Sequence, residues 1–459
     1  MSYRTEKDSL GEVKIPGRAY YGAQTKRAAD NFSISGIRMP GPLIAALASI
    51  KRFAAEVNRD LGLLAPDSAG PIARAAREVH AGKMNSQFIV DVFQTGSGTS
   101  TNMNMNEVVA TRANEIITGL RRTKSPVHPN DHVNMGQSSN DVIPSALHIS
   151  AVLEIRNRLL PALDLLKSRF LEKADEFAIV QKIGRTHLQD ALPVGLGRVF
   201  MGYARQVELG KDRLSGPLDR LSELALGGTA VGTGVNTHPE FARRVIEKIS
   251  GETGWRFFEA ADHFEAQSAR DAAAEVAGVL NTTAAGLIKI ANDIRLAASG
   301  PRCGIGELIL PELQPGSSIM PGKINPVIPE AVIQVGYQVI GNTSAITLGV
   351  QGGYFELNAA VPLIAHNLLQ SIAIMAGAAG AFAEKCVAGL RADADACKAE
   401  LEKSLALATY LVPRIGYDRA AEIAQKAHRT GKTIRETAAA EPDLSPEVVN
   451  ECLDKEIGN

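Results

Sequence analysis

Four segments of the 459-residue chain collect side chains that can hold an anion. They are QTGSGTSTNMNMNE (94–107), HPNDHVNMGQSSND (128–141), GRTHLQD (184–190) and GPRCGIGE…GSSIMPGKINP (300–326). Hydroxyls, amides and the backbone N–H groups of Gly-rich turns are donors suited to carboxylates, and glycine allows close approach. His, Arg or Lys stand in the last three segments. Taken singly, each is also ordinary turn and cap chemistry. Four together, two of them leading into long helices whose N-termini favour anions, shift the balance toward anion binding. The last is the most unusual. It places Ser317, Lys323 and Asn325 within nine residues, with Gly316 and Gly322 as hinges. A loop offering a hydroxyl, an ammonium and an amide can close over an anion.

Other chemistry fails on spacing. Position 426 is Lys where GKT (431–433) would need a phosphate-loop glycine, and GSGTST and GIGELI lack a third dinucleotide-loop glycine. No His has Glu three residues before it, which argues against a di-iron bundle. His128 and His132 stand four apart, but Pro129 spoils a metal-binding helix face, so no metal is expected. Cys303, Cys386, Cys397 and Cys452 form no C-x-x-C, and Cys303 reads as buried packing. With 49 basic and 50 acidic residues the net charge is −1, against a nucleic-acid partner. The N-terminus lacks a signal-peptide core, and the apolar run 371–383 is too short to span a bilayer. A cytoplasmic protein with no membrane partner is expected.

The elements that must position these segments are helical. Aromatic residues make up only 5% of the chain, which predicts an aliphatic, Ala-rich core of close-packed helices. Apolar spacing predicts rods over 141–178, 196–226, 270–299, 330–350 and 354–390. Asn140 or Asp141 would cap the first, Pro144 suits its first turn, and Pro161 should bend it. Thirty helical residues extend ~45 Å. The organisation expected is all-α in the main: a mixed or helical N-terminal domain (1–138), a central five-helix bundle (139–390) and a small helical C-terminal domain (391–459).

GSSIMPGKINP resembles the signature loop of the fumarase/aspartase superfamily, and the likeness covers nearly the whole chain. QTGSGT, HPND, QSSND, GRTHLQDA, GGTAVGTGVNTHPE and GPRCGIGE resemble the class II fumarase forms. Aspartases typically carry Gly-Ala-Gly in place of Gly96-Ser97-Gly98 and Ser-Thr in place of Ser138-Ser139. PELQPG (311–316) and PVIPE (326–330) read more like aspartase. The resemblance implies reversible hydration of fumarate to L-malate, a step of the tricarboxylic acid cycle, through an aci-carboxylate. An aspartate ammonia-lyase shares the fold with another leaving group, and a crystallin-like structural role is a third reading.

For the residues, the resemblance implies Ser317 as general base, with Lys323 and Asn325 stabilising the aci-carboxylate. It implies His187, paired with Glu330, acting on water. Ser97, Gly98, Thr99, Ser138, Ser139, Asn140, Thr186 and Ser318 would bind the substrate carboxylates. His128, Pro129, Asn130 and Asp131 would form an accessory anion site. No cofactor is implied. The assembly implied is a homotetramer, with each site shared among three chains.

Overall fold

The computed structural model describes residues 2–457. Helices dominate, and the strands described pair two by two. The chain divides into two units, each of three stretches: Met1–Pro161, Gly210–Ala284 and Tyr337–Ala376 in the first, Ala162–Leu209, Ala285–Gly336 and Gly377–Asn459 in the second. This grouping differs from three consecutive domains, and the long helices are the reason. Leu160–Glu176, Leu196–Asp212, Asp271–Ala297, Val327–Val350 and Val361–Ala381 each begin in one unit and end in the other. The 27-residue helix Asp271–Ala297 runs about 40 Å, so its two ends meet different neighbours.

In the first unit an antiparallel hairpin, Tyr3–Asp8 with Gly11–Pro16, leads into helices. Helix Gly41–Asp60 buries Leu43, Leu47, Ile50, Ala54 and Val57, and packs on Pro66–His80 and Ser139–Glu154. Ser138, not Asn140 or Asp141, caps the last of these, because Ser138 and Asp141 form a reciprocal capping box. Pro144 therefore falls in the second turn. Before Pro161 the helix widens into a π-turn, Ile155–Leu159, then continues as Leu160–Glu176. The wider turn accommodates the missing proline N–H.

The second unit contains an aromatic cluster despite the low aromatic content. Phe170 packs against Phe200, Tyr203 and Phe382, with ring centroids 6.1, 5.7 and 5.9 Å away. A smaller apolar cluster, including Leu401, Leu411, Ile423, Ile434 and Leu453, supports the C-terminal helices.

Two predicted rods are interrupted. The second breaks after Leu196–Asp212 and resumes as Ser215–Leu221. The fifth starts only at Val361, because residues 353–358 form a tight hairpin. That helix continues through a wide turn to Val387, giving 27 residues of mean hydropathy 1.4 in its most apolar window. Its length alone would cross a bilayer, contrary to the argument from 371–383. Burial of 61% of that window matches a core helix.

Candidate active site

Two helix starts meet in the first unit. Gly98, at φ +77°, precedes helix Thr99–Thr118; Ser138 precedes Ser139–Glu154. Ser97 Oγ lies 2.8 Å from Thr99 Oγ1, which lies 2.7 Å from Ser139 Oγ. Three hydroxyls thus line up where two helix N-termini meet, an arrangement suited to a carboxylate. Gly98 has no room for a side chain, since a Cβ would stand 2.8 Å from Ile143 Cγ2. Asn140 donates through Nδ2 to Ala230 O at 2.8 Å, and Ser138 Oγ accepts from the Asn140 N–H.

Buried charges hold this segment from below. Asp141 is fully buried and accepts from the N–H groups of Ser138, Gly227 and Thr229 at 2.9, 3.1 and 3.0 Å. Burial pushes its carboxyl up to about 6 against those hydrogen bonds. Lys51, also fully buried, donates to Asn134 Oδ1 and Gln137 Oε1, both at 2.9 Å. Burial brings it down to about 7, opposed by the Asp141 charge. The sequence reading passed over Lys51. Its signal was a lone charge among the apolar positions Leu47, Ile50 and Ala54 of one helix.

His187 occupies the tip of a hairpin in the second unit. Strands Gln181–Thr186 and Gln189–Gly195 are joined by His187 and Leu188, at φ +56° and +60°. Two left-handed residues make a primed turn that follows the strand twist, and neither is glycine. Such strain costs about 1–3 kcal/mol per residue and collects at functional sites. Thr186, His187 and Leu188 are all exposed, Leu188 by 72%. The hairpin base is anchored by Glu307, 1% exposed, which pairs with Arg185 at 2.6 Å and Lys182 at 3.0 Å. These three were not singled out in the sequence, although Arg185 and Glu307 lie within quoted motifs.

The Ser317 loop closes on itself. Gly316 N donates to Lys323 O at 2.8 Å, and Asn325 Nδ2 donates to Gly316 O at 2.6 Å. Gly316 is required here, because a Cβ would fall 2.4 Å from Lys323 O. Ser317 Oγ accepts from the N–H groups of Ile319 and Met320 at 3.2 and 3.0 Å. Two donors on one hydroxyl oxygen favour its anionic form. Ser317 and Lys323 line a hollow of about 420 Å³ bounded only by residues of 312–324. Asn325, expected to face the substrate, uses one amide N–H to fasten the loop. Ser318 is exposed.

Within the chain, neither His187 nor Glu330 makes a side-chain hydrogen bond or ion pair among the described residues. Their expected pairing is absent from a single copy. Cys303, expected to be buried, is exposed, because the loop after Gly300 lies on the surface. At HPND, His128 Nδ1 accepts from the N–H groups of Asn130 and Asp131, both at 3.3 Å. The same nitrogen is 3.2 Å from Asp131 Oδ2, but it cannot accept there and donate to a carboxylate together. The capping role, with two donors, is the better satisfied. His128, Pro129 and Asn130 border a hollow of about 270 Å³ with Lys7 and Lys124.

A lyase family model matches residues 11–341, and a fumarase C C-terminal model matches 407–457. Fumarate hydratase class II of Nitrosomonas europaea is 56% identical over 95% of this chain and 94% of its own. The Halobacterium salinarum class II enzyme is 55% identical over 99% and 96%. The chain belongs to the class II fumarate hydratase family. Human mitochondrial fumarate hydratase is 51% identical over 95% of this chain and 86% of its own. The class II fumarase structure from Schistosoma mansoni superposes with TM-score 0.95 at 39% identity, covering 99% and 98%.

Proposed function

We infer that the chain hydrates fumarate reversibly to L-malate, at sites completed between copies of itself. The observation that carries the chemistry is the Ser317 oxygen held by two backbone N–H groups beside Lys323. In the malate direction the difficult step is removal of a proton from the carbon next to a carboxylate. The aci-carboxylate that forms carries an added negative charge. Preorganised donors at that charge lower the barrier.

In this reading Ser317 Oγ takes the carbon-bound proton as an alkoxide. The N–H groups of Ile319 and Met320 and the Lys323 ammonium stabilise that oxygen, and Lys323 also meets the developing charge. Asn325 keeps the loop closed and offers its second amide N–H. Ser97, Thr99, Ser139 and Asn140 hold a carboxylate at the paired helix starts, with Thr186 and Ser318 at the other end. His187 handles the proton of the leaving water, with Glu330 of another copy holding its tautomer. HPND with Lys7 and Lys124 is read as an accessory anion site.

The sharing among copies rests on incomplete clusters. The hydroxyl cluster belongs to the first unit, and the hairpin and the Ser317 loop to the second. The hairpin tip carries exposed Leu188, and the loop carries Ile319, 84% exposed. Exposed apolar side chains beside catalytic groups suit burial by another chain. We read the assembly as a homotetramer with three chains contributing to each site, in dihedral symmetry.

The test is formation of fumarate from L-malate, followed by absorbance, in excess chelator. Turnover without added metal is expected. Preference for L-aspartate, or loss of activity on chelation, would contradict the reading. Ser317→Ala should lower turnover by about 10²–10⁴ while the oligomer and its melting temperature stay intact.

A further inference from the structure

Lys51 lies outside every motif that carries the chemistry, yet its amine touches the turn that leads into the hydroxyl cluster. Residues 134–137 form that turn. Gln137 N donates to Asn134 O at 3.1 Å, and Asn134 Nδ2 donates to Gln137 O at 3.1 Å. Gln137 Nε2 donates to Val133 O and Met135 O, each at 3.1 Å. Both side-chain oxygens of the turn, Asn134 Oδ1 and Gln137 Oε1, face Lys51 Nζ. The residue that follows is Ser138, the helix cap.

The same oxygen links the other half of the cluster. Asn134 Oδ1 also accepts from Asn102 Nδ2 and Asn106 Nδ2, both at 3.1 Å. Those asparagines belong to the helix that begins at Thr99. The NMN repeat therefore points inward to the scaffold, away from the substrate role its composition suggested. Lys51 is thus linked through Asn134 Oδ1 to the helix that begins at Thr99, and it bonds Gln137, the residue before the Ser138 cap.

We propose that Lys51 is a positioning residue, whose buried Nζ fixes Asn134 and Gln137 and so sets Ser138–Asn140 against Thr99 for carboxylate binding. The proposal rests on the reading of that cluster as a substrate subsite. Lys51 is spared contact with substrate, and its effect passes through the turn. Methionine matches its length and removes the donor. Asn134 Oδ1 then keeps two donors, whereas Gln137 Oε1 loses the one it has. The turn is freed at the end next to Ser138, so substrate affinity should suffer more than turnover.

The experiment compares Lys51→Met, Gln137→Leu, their double variant and Ser139→Ala in the full-length protein, with KM and kcat for fumarate. Lys51→Met should raise KM about tenfold, the scale of one lost buried hydrogen bond, with kcat within about threefold of wild type. Gln137→Leu, which also loses the two Nε2 donations to Val133 O and Met135 O, should raise KM at least as much, and the double variant should be no worse than Gln137→Leu alone, since the Lys51–Gln137 contact is then already gone. A Lys51→Met KM within about twofold of wild type, with Ser139→Ala raised, would overturn the positioning role and leave the subsite standing. Unchanged KM in both would overturn the subsite reading and the proposal with it. A fall in kcat at unchanged KM would also overturn it. Should Lys51→Met fail to fold, Gln137→Leu decides by the same KM criterion.

Discussion

Glu307→Gln tests how the hairpin that carries His187 is held. The substitution keeps the side chain's shape and removes its charge. Glu307 is 1% exposed; its partners Arg185 and Lys182 are 18% and 12% exposed. The variant leaves two largely buried cations without a counter-charge. Removing one member of a buried pair costs about 3–5 kcal/mol. Glutamine retains one accepting oxygen, and both long cations can bend toward water, so about 3 kcal/mol is expected here. His187 lies two residues beyond Arg185, at a turn whose two left-handed residues stay in place only if the strands do. Loosening the base should therefore lower kcat about tenfold under conditions where the variant remains folded. The assay is a urea titration at fixed protein concentration, which keeps any subunit equilibrium constant, paired with L-malate turnover. A loss under about 1 kcal/mol would refute the anchoring argument. So would unchanged kcat in a variant destabilised by the expected amount.

Three further outcomes follow from the geometry. Gly96→Ala should destabilise by more than about 3 kcal/mol or prevent folding, because a Cβ would lie 1.8 Å from Ala359 O; a urea midpoint near wild type would contradict this packing. At Glu115, burial pushes the carboxyl up, but hydrogen bonds from Arg121, Tyr20 and Arg112 outweigh it and bring it down to about 2. Its stabilisation is therefore full above about pH 4.5 and is lost as pH falls toward 2. Glu115→Gln should be about 1–2 kcal/mol less stable than wild type at pH 7, and the two unfolding curves should converge in acid. Lys323→Ala should weaken substrate-analogue binding as well as turnover, since it removes a charge that attracts a dianion. Ser317→Ala should leave analogue binding nearly intact, and calorimetry with a dicarboxylate analogue separates the two.

The helical architecture was legible because apolar spacing over 20–30 residues is a strong signal. Its breaks were not. The hairpin at 353–358 joins Gly353-Tyr354 to Leu357-Asn358, residues that carry no strand pattern. The π-turn before Pro161 depends on how neighbouring turns relax. In the sequence the site loops read as anion-binding chemistry, and the superfamily resemblance supplied the roles proposed for them. Their internal bonding was hidden. Nothing in SSND says that Ser138 is the cap while Asp141 ties down Gly227 and Thr229. The resemblance implied Asn325 as a substrate donor, but not that one of its amide N–H groups also closes the loop onto Gly316. Lys51 was missed because its partners lie more than 80 residues away, a contact that only the fold creates.

The claim that one copy cannot form a working site is tested most directly by mixing two inactive variants. Ser317→Ala and His187→Ala proteins are dissociated reversibly, combined in equal amounts and reassociated. With random assembly, a site drawing these residues from different chains has about a half chance of each being intact, independently, so about a quarter of wild-type activity should return. Mixed oligomers seen by native mass spectrometry that remain inactive at every mixing ratio would contradict it.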